Sequence, residues 1–226
     1  MSLHFLLMIL ALGSEIKGGH IAPRNQLLYM ASVQTREGHY CGGSLISDNF
    51  VLTAAHCLLY CKVNFHLIDS STPTSTDYTV RSHILVLCLQ LSQSVPVGGT
   101  IQRIRLPPPN MNLRPDQMCH VAGWGVADTG TLVDDLRVVG VSVVDQNVCR
   151  RQWNGIPANV ICAGGYKTSK RACQGDSGGP LVCNGVAAGV VSFGDEECND
   201  QHFPNVYTDV SKFRPWIDQI LKENGC

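Results

Sequence analysis

Two short stretches carry residues that do chemistry only in combination. The stretch Cys173-Gln174-Gly175-Asp176-Ser177-Gly178-Gly179-Pro180 sets a serine among glycines. Glycine on both sides of Asp-Ser lets the backbone bend so that amide groups converge near the Ser177 hydroxyl. A serine hydroxyl is a poor nucleophile alone and needs an adjacent base, usually histidine. Thr53-Ala54-Ala55-His56-Cys57 supplies one, 121 positions earlier. The pair predicts acyl transfer through Ser177 with His56 as general base. It therefore demands a fold that brings two distant segments together. The other seven histidines are scattered at no ligand spacing, so no metal or other cofactor is expected.

The elements that must do this positioning read as strands. Runs at 29–34, 43–46, 50–54, 63–68 and 78–89 are short and rich in apolar or β-branched residues, with Gly, Asn, Asp or Ser between them. Pro107-Pro108-Pro109-Asn110 breaks the chain near its middle and reads as a connector. Strand-like runs resume at 117–122, 136–144, 160–163, 180–183, 185–193 and 204–208. One helix is evident: Phe213, Trp216, Ile217, Ile220 and Leu221 fall on one face at the end of the chain. Ser211 is its expected cap, and Pro215 is tolerable only in its first turn. The expected fold is all-β, with two antiparallel units over 16–106 and 107–226. Closing each sheet into a barrel removes its edges.

Composition narrows the setting. The 226 residues are 44% hydrophobic and 15% charged, with 22 Gly and 11 Pro, which suits a turn-rich β protein. A formal net charge of -1 gives no electrostatic case for nucleic acid or an acidic membrane surface. Eleven cysteines without paired CxxC knuckles point to disulfides and an oxidising compartment. Residues 3–12 are apolar except His4, and Ala11-Leu12-Gly13 offers small residues for cleavage, so 1–13 reads as a signal peptide. No later run is long enough to span a bilayer.

Together the Ser177 and His56 stretches resemble the chymotrypsin-like (trypsin-fold) serine proteases. The resemblance covers nearly the whole chain from Ile16. It extends to Cys41-Gly42-Gly43-Ser44-Leu45-Ile46, Val121-Ala122-Gly123-Trp124-Gly125, Val191-Ser192-Phe193-Gly194 and Asn205-Val206-Tyr207-Thr208. The granzyme and mast-cell protease branch is the most similar, because Ser14-Glu15 sits where its members carry an activation dipeptide.

This resemblance implies two six-stranded antiparallel β-barrels with a C-terminal helix. It implies Ser177 as nucleophile, His56 as base, and the Gly175 and Ser177 amides as oxyanion hole. Cleavage after Glu15 would free Ile16, whose ammonium would pair with Asp176. Lys17 stands at a position usually apolar in the family. Ser192 and Gly194 would flank a specificity pocket with Arg171 at its base and Asn205 where many members have Gly. That predicts a preference for acidic side chains, or a partly filled pocket with weak selectivity, unless Arg171 turns out to solvent. Partners would be protein or peptide substrates and protein protease inhibitors. The location would be secreted or in a secretory granule. The family's calcium loop is not expected, since the 70–77 stretch has no Glu.

One member of the family's triad is absent. Matching Leu89-Gln90-Leu91 to the family pattern puts Leu85 where the Asp should stand, and the loop before it is lost, so the first barrel reads as shortened. Asp69 and Asp77 precede that strand. The chain is thus a slow enzyme, a catalytically dead binding protein, or an aberrant splice or gene-model product of an active protease. The resemblance also pairs Cys41 with Cys57, Cys119 with Cys183, Cys149 with Cys162, and Cys173 with Cys198. Cys61, Cys88 and Cys226 are extra; Cys61 and Cys88 are candidates for a bridge. Otherwise a monomer, the chain has in Cys226 a candidate link to a second copy.

Overall fold

The computed structural model describes residues 16–57, 62–65, 78–82, 86–125 and 135–224. The signal and dipeptide, Cys61, Asp69, Asp77, Leu85 and Cys226 lie outside them. Among the described residues, thirteen strands form two antiparallel sheets. In the first, β2 (Met30–Thr35), β3 (Gly38–Leu45), β4 (Phe50–Ala54), β5 (Lys62–Phe65), β6 (Tyr78–Ser82) and β7 (Val86–Leu91) run in the order β5-β2-β3-β4-β7-β6. In the second, β1 (His20–Ile21), β8 (Met118–Gly123), β9 (Arg137–Ser142), β10 (Val160–Ala163), β11 (Pro180–Cys183), β12 (Val186–Phe193) and β13 (Asn205–Asp209) run β1-β9-β8-β11-β12-β13-β10. Among the described residues no helix is long and apolar enough to cross a membrane.

The continuous apolar run of β4 is buried at every position because the strand lies inside its sheet, between β3 and β7. Phe50, Leu52, Leu87 and Leu89 join Leu45 and Val33 in one core. Each such side chain contributes about 1.5–3 kcal/mol. The run at 78–89, read as one strand, is two: β6 and β7 pair antiparallel with Ser82 opposite Leu87.

Chain order and spatial order cross at both ends. β1 precedes the first sheet but pairs with β9 of the second, giving that sheet seven strands rather than six. The C-terminal helix α2 (Val210–Glu223) follows the second sheet yet places Phe213, Ile217 and Ile220 in the first core. Arg214 Nη1 donates to Pro107 O at 2.8 Å, pinning the helix to the connector. β12 serves both cores: Ala187 and Val190 belong to the first, Ala188 and Val191 to the second. A shared strand and two crossed ends hold the halves in one register.

Two helix expectations need correction. The cap of α2 is Asp209, not Ser211: its Oδ1 accepts from Ser211 N at 3.0 Å and Ser211 Oγ at 2.7 Å. A carboxylate one residue before the helix reaches the second amide, and its charge favours the positive helix end. Pro215 consequently falls in the second turn, where the helix gives up the bond its N–H would have made. A second helix, α1 (Gln146–Gln152), was not anticipated; Asp145 caps it by accepting from Asn147 N and Val148 N.

Four disulfides close: Cys41–Cys57, Cys119–Cys183, Cys149–Cys162 and Cys173–Cys198. Cys88 is a free thiol buried in β7, so it forms no bridge to Cys61.

Candidate active site

Ser177 is placed by its backbone. Its carbonyl accepts from Gly42 N at 2.8 Å, and the Cys57 sulfur lies 3.8 Å from the same oxygen. Thr53 Oγ1 donates to Gly42 O at 2.7 Å, and a Cβ on Gly178 would collide with that Thr53 oxygen. The end of β4 leads into the 3₁₀ turn Ala55–Cys57 that carries His56. The Cys41–Cys57 disulfide ties that turn back to β3. The Ser177 stretch is thus packed against both β3 and the end of β4, with Gly178 close against Thr53 and Ala54. The His56 ring and the Ser177 hydroxyl make no direct hydrogen bond, a bond that often tightens only when substrate arrives.

The backbone around Gly175 and Ser177 is held by buried groups. Asp176 is fully buried; its Oδ1 accepts from Gly125 N at 3.0 Å and its Oδ2 from Cys173 N at 2.8 Å. Gly123 and Gly125 are glycines because a Cβ on either would strike the Asp176 carboxyl. Gly175 sits at φ +87°, a region that side chains disfavour. Its carbonyl accepts from His39 Nε2 at 2.8 Å, and His39 Nδ1 is 2.7 Å from Ser32 Oγ. Since a carbonyl only accepts, the proton belongs on Nε2 and Ser32 donates to Nδ1. Burial lowers the His39 pKa below its ordinary value, against the raising effect of the Gly175 bond. His39 was not singled out from sequence; its one signal was a lone histidine two positions before Cys41.

His56 lacks comparable support. It is exposed, and burial of its ring atoms lowers its pKa with no carboxylate opposing the shift among the described residues. Val86, the first residue of β7, pairs with Ala54 beside the His56 turn, and Leu85 before it lies outside the described residues. Cys41, His56 and Cys57 bring ligand-type atoms within 4.8 Å, but the disulfide consumes both thiols and leaves no metal site there.

The segment that starts at Ile16 packs into the second half. Ile16 is fully buried in the second core, and Gly19 packs against it. Lys17 N donates to Arg171 O at 2.9 Å and Arg171 N to Lys17 O at 3.3 Å. Lys17 Nζ donates to Asn199 Oδ1 at 2.5 Å. The position is therefore filled by a side chain that runs outward while the backbone makes the contact.

Arg171 does not turn out to solvent: it is 1% exposed. Nη2 donates to Gly165 O at 2.8 Å and Asp200 O at 2.5 Å, and Nη1 lies 3.6 Å from Asp195 Oδ2. Asn205 Nδ2 donates to Ala172 O at 2.8 Å. Ser192 near the end of β12 and Gly194 just after it run alongside, since Gly178 N donates to Val191 O at 2.9 Å. Asp195 also takes Asn199 N at 2.8 Å and Asp200 N at 2.9 Å, fixing its own loop. No sequence signal marked Asp195.

Comparison with known proteins fits this geometry. The family model described as Trypsin matches residues 16–217. Mast cell protease 3 of Ovis aries is 34% identical, over 97% of this chain and 96% of its own. Granzyme H of Homo sapiens is 35% identical, over 97% and 96%. Chymase of Canis lupus familiaris is 35% identical, over 98% and 97%. Among solved structures, neuropsin, a serine protease expressed in the limbic system of mouse brain, superposes with a TM-score of 0.83. It is 27% identical, over 90% of this chain and 99% of its own.

Proposed function

From a chain that belongs to the trypsin family of serine proteases, we propose a secreted endopeptidase that cleaves through an acyl-enzyme and turns over slowly. Ser177 Oγ attacks the scissile carbonyl while His56 takes its proton. The Gly175 and Ser177 amides receive the negative oxygen, and His56 returns the proton to the leaving amine. The observation that carries this reading is the Ser177 carbonyl bonded to Gly42 of β3, the strand whose Cys41 is tied by a disulfide to the His56 turn, beside a positive-φ Gly175 held from behind. Maturation removes 1–13 and then 14–15. The new Ile16 ammonium then pairs with Asp176, whose carboxyl is buried with two amide donors already in place. Secretion or granule storage follows from the leader, the disulfides and relatives named for mast cells. The partners are peptide or protein substrates and protein inhibitors.

Slowness follows from Leu85. Without an acid, nothing fixes the His56 tautomer or stabilises the imidazolium, and replacing that acid by its amide costs about 10⁴ in turnover in a related enzyme. The unsupported His56 equally favours a second reading, a protease-fold protein that binds peptides without cutting them. A fluorophosphonate probe separates the two on protein processed after Glu15. Labelling of Ser177 that disappears in His56→Ala supports the enzyme. No labelling, with the N-terminus correctly formed, supports the binding protein.

A further inference from the structure

Residues 171–177 and the end of β12 form two walls beside Ser177. Gly178 N donates to Val191 O and Val191 N to Gly179 O, both at 2.9 Å, which runs Ser192, Phe193 and Gly194 past the nucleophile. Asn205 stands between the walls and is 3% exposed. Its Nδ2 bonds Ala172 O on one wall, while a Cβ on Gly194 of the other would lie 2.6 Å from that same nitrogen. The amide spans the gap. Arg171 meets it there: a Cβ on Gly165 would be 3.1 Å from Asn205 Oδ1 and 3.2 Å from Arg171 Nη2. Arg171 Nε and Nη1 and Asn205 Oδ1 have no hydrogen-bond partner, although all are buried. The guanidinium thus keeps donors that a carboxylate would satisfy, but Asn205 and the Asp195 charge stand before them.

We propose that the chain fills its own specificity slot. Asn205 and Arg171 occupy the depth, so peptides with a small uncharged residue before the scissile bond are accepted and large ones are excluded. Recognition of Asp or Glu by Arg171 stays masked until residue 205 is shortened. The inference rests on the endopeptidase reading, but its test needs no turnover. In processed protein carrying Ser177→Ala, titration calorimetry compares three peptides that differ only in Ala, Asp or Phe at that residue. The Ala peptide is expected to bind at least tenfold tighter than the other two. Adding Asn205→Gly should tighten the Asp peptide at least tenfold, and adding Arg171→Gln should erase that gain. Asn205→Ser serves as the milder change should glycine unfold the protein, as judged by circular dichroism. An Asp or Phe peptide that matches Ala in the Ser177→Ala protein overturns the proposal. So does an absence of gain in both residue-205 variants, or a failure of all three peptides to bind. Loss of the endopeptidase reading appears separately, as absent fluorophosphonate labelling of the unsubstituted protein.

Discussion

The two sides of the cleft are built to different standards. On the Ser177 side the backbone is bonded to β3 and β12, Asp176 is buried with two amide donors, and His39 braces Gly175. On the His56 side a disulfide and one strand end hold the turn, and no carboxylate backs the ring among the described residues. Among the described residues the Ser177 surroundings are therefore bonded more densely than those of His56. In the proposed reading, such a chain keeps the shape that binds substrate and receives an oxyanion, while proton transfer falls to an imidazole that no described carboxylate backs.

The sharpest way to break the comparison is to damage the better side. Asp176→Ala strands the Gly125 and Cys173 amides in a fully buried position. Each buried donor left without a partner costs about 1–3 kcal/mol, so a loss of about 2–6 kcal/mol is expected in denaturant unfolding. Ser177 labelling should vanish with it. A stability change below about 1 kcal/mol would mean that the amides find other acceptors and that the two sides are less unequal than the bonding implies.

Much of this asymmetry was legible in the residues. β4 and β11 fall where apolar runs are read, because buried strands inside a sheet need no alternation; β10, at a sheet edge, does so because all four of its residues are buried. The glycines of the Gly123-Trp124-Gly125 stretch are required by the Asp176 carboxyl, a contact between Gly125 and a residue 51 positions away that no local pattern marks. Other features left weaker traces. α1 buries only Cys149, so it carries no apolar stripe, and its one cue was Asp145 ahead of it. β1 is two exposed residues whose pairing with β9 depends on where Ile16 is buried. The burial of Arg171 was undecidable, since a lone arginine satisfies its charge through partners that sequence does not place nearby.

Repairing the poorer side is the second test. Leu85→Asp restores the residue type expected at that position and should raise kcat by about 10²-fold or more. A new carboxylate also favours the imidazolium, so the acid limb of the kcat/KM profile should move upward in pH. In the unsubstituted protein that limb should lie below 6.5, the ordinary value from which burial lowers His56. An unchanged kcat and limb in the variant would mean that base support is not what limits this chain.

The smallest effect belongs to His39, which acts through Gly175 and touches no substrate. His39→Gln keeps a donor at shorter reach and should lower kcat about tenfold with little change in KM, because an oxyanion donor misplaced by a fraction of an ångström is felt mainly in the transition state. His39→Phe should cost more, since Ser32 and the Gly175 carbonyl then both lose a partner. The pH dependence separates bracing from mere packing. Because burial depresses the His39 pKa in the folded chain, the unfolded chain binds the proton first as pH falls. The stabilisation is therefore present above about 6.5 and is lost as pH drops from there through the folded value. His39→Phe should flatten that part of the stability curve, leaving only the slope due to other groups. If the slope between pH 7 and 5 is the same with and without the imidazole, His39 does not titrate with folding. The brace on Gly175 would then be a matter of shape alone.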